Sequence, residues 1–360
     1  MYQRLRTFVE RYERRLSFAA LSTGFVLDNL TLRRVDLWFE NLALASYILF
    51  AGTAIFFLAL DIRQTRWGGF VARVQSFAPL IMQFAFGGLF SGFFVFYSRS
   101  GSLATSWPFI VLLVGLLVGN EFFRTRYERL SFQLAIYFVS VFSYMTFLLP
   151  VLVHKIGDGI FMAGTILSVM LMFVFLRIIE RVGGERVGES RMHARRNVIA
   201  LAAVFVVLYL NNVIPPLPLA LREGGVYHNV TRIGSTYLLE DESRTLRDRF
   251  SRAPTIHIIR GEELAAYSAV FAPTALNTTI YHDWQYYNEE KGEWESRFRF
   301  PYNIVGGKDG GYRGHSLKSN VLPGLWRVNI ETADGRIIGR MKRTVALVDV
   351  PVERTRMITH

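Results

Sequence analysis

The sequence contains no cysteine. That excludes a thiol nucleophile, a disulfide framework and any metal site built on thiolates. Seven histidines are present, but none stands at a spacing such as H-x-H or H-E-x-x-H that would aim two ring nitrogens at one ion. No metal and no cofactor are therefore expected. Internal repeats and low-complexity tracts are also missing. Acidic charge is short: 29 Asp and Glu face 41 Lys and Arg, a formal net charge of +12. A basic excess can serve nucleic acid, but most of it here sits in short segments between apolar runs. There it sets membrane topology and meets anionic headgroups, so the bilayer is the expected partner and nucleic acid is not.

Apolar residues are abundant, at 51% of 360 positions with 30 Phe. They fall into two populations. Residues 17 to 214 are mostly apolar runs, whereas residues 220 to 360 alternate polar and apolar positions between Gly-rich turns. Six runs approach the ~20 residues needed to cross ~30 Å of hydrocarbon: Leu37–Leu60, Phe77–Tyr97, Trp107–Phe123, Phe132–Val153, Ile160–Ile179 and Val198–Ile214. A weaker run, Leu16–Leu32, follows the basic stretch Met1 to Arg15 without a small-x-small cleavage site, so it reads as a retained first helix. With seven crossings and the N-terminus in the cytosol, seventeen arginines fall on inner segments and four Lys or Arg on outer loops. That asymmetry predicts a multi-pass inner-membrane protein with its C-terminal part outside the cytosol. Pro215-Pro216-Leu217-Pro218 then ends the last helix.

Polar groups in such helices are costly in lipid and point to function. Asp28, Asn29, Glu40, His154, Asp158 and Asn211, with His228 just beyond, are expected near the outer leaflet as a polar site, with Asp28 and His154 as a candidate pair. The small residues Gly87, Gly88, Gly92, Gly115, Gly119 and Gly164 allow close helix approach.

Beyond the membrane part, residues 216–254 read as a connector, with a turn at Gly224-Gly225, a short strand at Tyr237-Leu238-Leu239 and a charged helix from Glu240 to Phe250. From Thr255 the period becomes that of strands. Thr255–Ile259, Ala266–Phe271, Thr279–Tyr287 and Trp294–Phe300 are candidates. Trp326, Val328 and Ile330 form an apolar face with Arg327, Asn329 and Glu331 outward, and Asp334-Gly335 supplies a tight hairpin. Short strands with turns and buried Trp predict an antiparallel, immunoglobulin-like β-sandwich over 255–350, with 351–360 as a tail and 1–215 as the membrane domain. The Gly-rich stretch from Gly306 to His315 is not a phosphate loop, because its Lys308 is not followed by Ser or Thr and no helix comes after it. It reads instead as a loop at the sandwich end, with Lys308, Tyr312, Arg313, His315 and Lys318 as candidate binding residues.

The run Tyr312-Arg313-Gly314-His315-Ser316-Leu317-Lys318-Ser319, then Pro323-Gly324-Leu325-Trp326-Arg327-Val328, then Asp334-Gly335-Arg336-Ile337-Ile338-Gly339 resembles the module called Domain of Unknown Function 2914. His315 stands where that pattern has an aromatic residue. The membrane part, ending in Pro215-Pro216-Leu217-Pro218 and Tyr227-His228, resembles the companion Domain of Unknown Function 5924. The resemblance implies a proteobacterial envelope protein and no activity.

Three functions are open from the sequence. The first is a non-enzymatic envelope module whose sandwich binds a protein or glycan. The second is a transporter or lipid-linked enzyme using the polar site at the outer leaflet. The third is a sensor, for which the inner segments are too short to hold an output domain.

Overall fold

The computed structural model describes residues 26, 38–60, 68–100, 103–122, 129–183, 185–214, 218–243, 251, 253–273, 276–306 and 310–359. Among the described residues, six helices precede eleven strands. The helices are α1 (Trp38–Ala59), α2 (Gly68–Ser100), α3 (Leu103–Phe122), α4 (Leu130–Val153), α5 (Asp158–Val182) and α6 (Glu185–Leu210). Five stretches are long and apolar enough to cross a membrane: Phe39–Ala59, Gly68–Ser98, Leu130–Val153, Asp158–Val182 and Met192–Leu210. Ser106–Asn120 is a shorter apolar helix. Apart from Val26, the weak run Leu16–Leu32 lies outside the described residues, as do Asp28 and Asn29.

The helices are apolar around most of their circumference. Leu80, Phe84, Ile166, Met170 and Val204 remain exposed, as suits helices solvated by hydrocarbon rather than water. Several helices run past the apolar segments that marked them, because hydropathy reports what lipid tolerates while backbone bonding sets the helix end. In α2 the early polar turn caps a neighbour. Gln75 Nε2 donates to the carbonyls of Phe57 (2.9 Å) and Leu60 (3.0 Å) at the end of α1, where carbonyls run out of helical donors; Phe57 O also accepts from Leu60 N at 3.2 Å. Small residues carry the closest approaches. A Cβ on Gly88 would lie 2.6 Å from the Tyr47 ring, and one on Gly52 would lie 2.6 Å from the Tyr137 hydroxyl. Among the described residues, a Cβ on Gly115 would meet nothing within 4 Å. Rings lace α4, α5 and α6 together, with Phe142 stacked on Phe205 at 4.4 Å and Phe161 on Tyr209 at 3.6 Å.

The second compact unit comprises residues 215–360 with 99–106 and 153–158. Its strands are β1 (Ala220–Tyr227), β2 (Asn229–Ile233), β3 (Thr236–Glu242), β4 (Thr255–Ile258), β5 (Leu264–Phe271), β6 (Asn277–Asn288), β7 (Glu293–Val305), β8 (Tyr312–Lys318), β9 (Gly324–Thr332), β10 (Ile337–Leu347) and β11 (Arg354–Thr359). They form three sheets, in the orders β1-β5-β8, β4-β10-β9-β6-β7 and β11-β3-β2. All pairings are antiparallel except β4 with β10.

One core joins the first two sheets. Ala266 and Val270 of β5 meet Ile280 and Trp284 of β6, Trp326, Val328 and Ile330 of β9, and Val345 of β10. A second cluster lies on the other side of β5. There Ala265, Tyr267 and Ala269 meet Val230, Tyr237 and Leu239. Every residue of β5 is buried, as expected of a strand with a layer on each face. Its small side chains, Ala265, Ala266, Ser268 and Ala269, let both layers approach.

Two local readings of the sequence are corrected. Gly224-Gly225 is not a turn but lies inside β1, where a Cβ on Gly225 would meet the Tyr227 ring at 2.5 Å and one on Gly224 the Met341 sulfur at 3.1 Å. Glu240, Asp241 and Glu242 are not helical; they continue β3 and pair with Arg356, Thr355 and Arg354 of β11. The remainder of that stretch, 244–250, is outside the described residues. The hairpin at Asp334-Gly335 forms. Gly335 has φ 74°, and Thr332 N donates to Arg336 O at 2.9 Å, closing a three-residue loop with glycine in the left-handed position.

Candidate functional site

Strand alternation gives the five-stranded sheet two faces. Ile280, His282 and Trp284 point into the core and are fully buried. The intervening residues of β6, Tyr281, Asp283, Gln285 and Tyr287, share the opposite face with Trp294, Ser296 and Arg299 of β7, Arg327, Asn329 and Glu331 of β9, and Arg340 and Lys342 of β10, as the register dictates. The sequence reading placed Arg327, Asn329 and Glu331 outward. They do face away from the core, but Asn329 and Glu331 are covered there, at 3% and 8% exposure, and Asp283 at 4%, because neighbouring polar side chains lie across them.

This face is wired in a fixed pattern. Asp283 accepts from Gln285 Nε2 and from Ser296 Oγ. Arg327 Nε donates to Gln285 Oε1 at 2.5 Å, and Arg340 Nε to Asn329 Oδ1 at 2.7 Å. Arg299 Nε donates to Glu331 Oε1 at 3.1 Å. Aromatic rings lie beneath the cations: Arg299 stands 3.9 Å over Tyr281, Arg327 4.2 Å over Trp294, and Lys342 5.8 Å from the Trp294 centroid. Tyr287 packs on Trp294 with centroids 5.2 Å apart. Burial, then the charge of Arg340, pushes the Arg327 guanidinium down to about 10, with Asp283 opposing. Arg340 is depressed by burial too, with Glu331 opposing. Burial and the nearby Asp283 charge raise Glu331 above the usual carboxylate range.

A second polar cluster surrounds His228, whose ring is fully buried. Its Nδ1 lies 3.1 Å from Glu262 Oε1 and its Nε2 3.1 Å from Glu242 Oε1. Glu242 also accepts from the His257 backbone N–H at 2.5 Å, and its Oε2 is 2.8 Å from His257 Nδ1. Glu262 accepts from Ile259 N at 3.1 Å and Arg354 Nη2 at 2.5 Å. Both ring nitrogens of His228 thus lie within hydrogen-bonding distance of a carboxylate oxygen. The cluster ties the starts of β2, β4, β5 and β11 together. Among the described residues, no group of three or more His, Asp or Glu is arranged to hold a metal ion.

A third group is interior. His282 Nε2 lies 2.7 Å from Ser268 Oγ, which lies 2.6 Å from the Tyr302 hydroxyl, while Ser316 Oγ is 2.9 Å from His282 Nδ1 and accepts from Trp284 Nε1 at 3.0 Å. Burial, reinforced by His315, drives the His282 imidazole down to about 3. Burial raises the Tyr302 hydroxyl. A serine beside a histidine suggests acyl transfer, but Ser268 and His282 are both at 0% exposure and no substrate reaches them. The group satisfies buried polar atoms within the core.

The residues named from sequence are divided between two compact units, with Asp28 and Asn29 outside the described residues. Glu40 is buried in the first turn of α1. Asn211 is exposed and donates to Val207 O of its own helix at 2.8 Å. His154, Asp158 and His228 belong to the second unit. His154 is exposed with φ 57°. Asp158 takes a two-point contact from Arg336, Nε to Oδ1 and Nη2 to Oδ2, both 3.0 Å. His228 is engaged by Glu242 and Glu262 as above. Lys308 is outside the described residues. Tyr312, Arg313, His315 and Lys318 stand on β8, a strand rather than a loop. Alternation puts Tyr312 and Lys318 on one of its faces and Arg313 and His315 on the other, so the four cannot grip one ligand. Tyr312 packs against the main core, and His315 lies edge-on to Tyr237 at 6.0 Å.

A solved structure of Pseudomonas fluorescens alkylpurine DNA glycosylase AlkC bound to DNA containing an abasic site analog is similar at 10% identity, over 87% of this chain and 99% of that chain, with a TM-score of 0.19. At that score the likeness carries no argument about fold or function. No curated protein matches the chain. Residues 277–345, from the start of β6 into β10, match the family described as Protein of unknown function (DUF2914).

Proposed function

We propose that this chain is an integral inner-membrane protein of the bacterial envelope whose C-terminal, immunoglobulin-like β-sandwich is a binding module facing the periplasm. On this reading seven helices span, Leu16–Leu32 is the first, the N-terminus is cytoplasmic, and the membrane part is the companion Domain of Unknown Function 5924. The arginine asymmetry of the sequence and the long apolar helices support the topology. The observation that carries the binding role is the outer face of the five-stranded sheet, where Arg299 lies over Tyr281, Arg327 and Lys342 lie over Trp294, and Arg340 is held by Asn329. Ordered cations over aromatic rings, backed by a rigid sheet, are what recognition surfaces are made of.

The test is site-specific cross-linking in living cells. A diazirine-bearing residue replaces Ser296, exposed on that face, or Ile233, exposed on β2. Adducts at 296 and not at 233 are expected. Equal labelling at both positions, or none at 296, removes the face from function. A reporter fused after His360 that works only in the cytosol overturns the topology.

A further inference from the structure

We infer that the outer face of the five-stranded sheet binds an anionic sugar polymer, with Arg327 and Arg340 gripping its carboxylate or phosphate groups and Tyr287, braced by Trp294, packing on its sugar rings. The inference rests on the binding-module reading above and names its ligand.

Charge is the first ground. Arg327 and Arg340 are half-buried, and each presses on the other electrostatically. Their Nε atoms are held by neutral amide oxygens, those of Gln285 and Asn329, not by carboxylates. The two carboxylates of the face bond elsewhere: Asp283 to Gln285 and Ser296, Glu331 to Arg299. They reduce the positive potential without occupying the forks of the two arginines. Four cations on β10, β9 and β7 therefore stand against two acids. Holding like charges together out of water is unfavourable, and an anion between them relieves that cost. A guanidinium fork held by its Nε still directs its outer N–H groups at a planar or tetrahedral oxyanion.

Shape is the second ground. The rows of the sheet repeat about every 4.8 Å across strands and about 6.8 Å along them, giving a flat surface with charge spread over it rather than a pocket. A flat, repeating surface suits a repeating polymer. Trp294 and Tyr287 form one half-buried aromatic row beside the charged rows. Aromatic faces accept the C–H faces of sugars while amide and guanidinium groups take the hydroxyls and acids. A lipid surface fits less well, since Val305 at the end of β7 is the exposed large hydrophobic that the register puts on this face, and a lone valine offers little to hydrocarbon.

The test is titration of the purified full-length protein, in nanodiscs of neutral lipid, with an oligogalacturonate as the probe. Binding that weakens sharply as salt is raised is expected. A neutral cello-oligosaccharide should bind at least about tenfold more weakly, and Arg327→Gln and Arg340→Gln should each weaken oligogalacturonate binding by about tenfold or more. Melting curves of both variants check the fold, and the salt dependence of the wild type requires no variant. The inference is overturned if oligogalacturonate does not bind, or binds independently of salt and of both arginines. It is also overturned if polyaspartate or phosphatidylglycerol vesicles bind as tightly, which would assign the face to charge alone or to membrane. If cross-links form at position 296 while oligogalacturonate fails, the binding module stands and the sugar falls. If neither occurs, both fall.

Discussion

Arg343 and Asp241 form an ion pair inside the β unit, Nη2 to Oδ2 2.9 Å, with side chains only 5% and 3% exposed. Arg343 also donates from Nε and Nη2 to the Val226 carbonyl, at 3.2 and 2.9 Å, so one side chain of β10 holds β3 and β1. Removing Asp241 takes the carboxylate counter-charge from the buried Arg343 guanidinium. Asp241→Ala should destabilise the unit by about 3–5 kcal/mol, whereas the paired replacement Asp241→Leu with Arg343→Met should cost much less. Melting temperatures of the three proteins in detergent check this. A double variant no more stable than the single one contradicts it.

His282 makes stability depend on acidity. Its folded value of about 3 lies below that of an unfolded imidazole, near 6.5, so the unfolded chain takes up the proton first. The contribution is fully present above the unfolded value and is lost as pH falls toward the folded one, at about 1.4 kcal/mol per pH unit. Melting temperatures between about pH 7 and about pH 4 should fall less steeply for His282→Gln than for wild type. Parallel curves would refute the assignment.

Gly88 sets how closely α1 and α2 approach. Gly88→Val should destabilise the helical unit by roughly 1–3 kcal/mol by driving the Tyr47 ring aside. Adding Tyr47→Ala should recover part of that loss. Thermal aggregation in detergent reads both, and Gly115→Ala, which would meet nothing within 4 Å among the described residues, should be near neutral.

The Glu262 carboxylate anchors β11 through Arg354 and the loop before β5 through Ile259 N. Glu262→Gln weakens the charge-assisted bonds. Amide exchange across residues 354–359 should accelerate by about tenfold or more while β5, buried on both faces, stays protected. Unchanged exchange in β11 would show that backbone pairing with β3 alone holds it.

The sequence exposes some of this and hides the rest, for physical reasons. Lipid-facing helices carry their signal locally, so runs such as Phe132–Val153 mark α4 closely. The alternation of Trp326, Val328 and Ile330 likewise reveals the core side of β9, because burial there follows from period two. It cannot reveal that Asn329 and Glu331 are also buried, since that depends on Arg299 and Arg340 from other strands. Gly224-Gly225 carries the composition of a turn but serves as space for Tyr227 and Met341. His228 looked like a neighbour of membrane polar residues. Its partners Glu242 and Glu262 are brought to it by strand order, which no spacing encodes. The Arg-aromatic face was similarly missed, though Trp294, Arg327 and Lys342 at matching parity on three strands were its available signal.

The parallel match of Thr255 with Thr344 joins strands separated by about ninety residues, and β3 likewise waits for β11. The ribosome delivers β3 and β4 first, so β3 emerges paired with β2 on one edge and bare on the other, and β4 emerges without its partner β10. Long-range closure of this kind is slow and leaves unpaired edges open to other chains. Assembly of the β unit is therefore gated by arrival of β10 and β11, and a nascent chain stalled before them is a candidate for chaperone custody and proteolytic clearance.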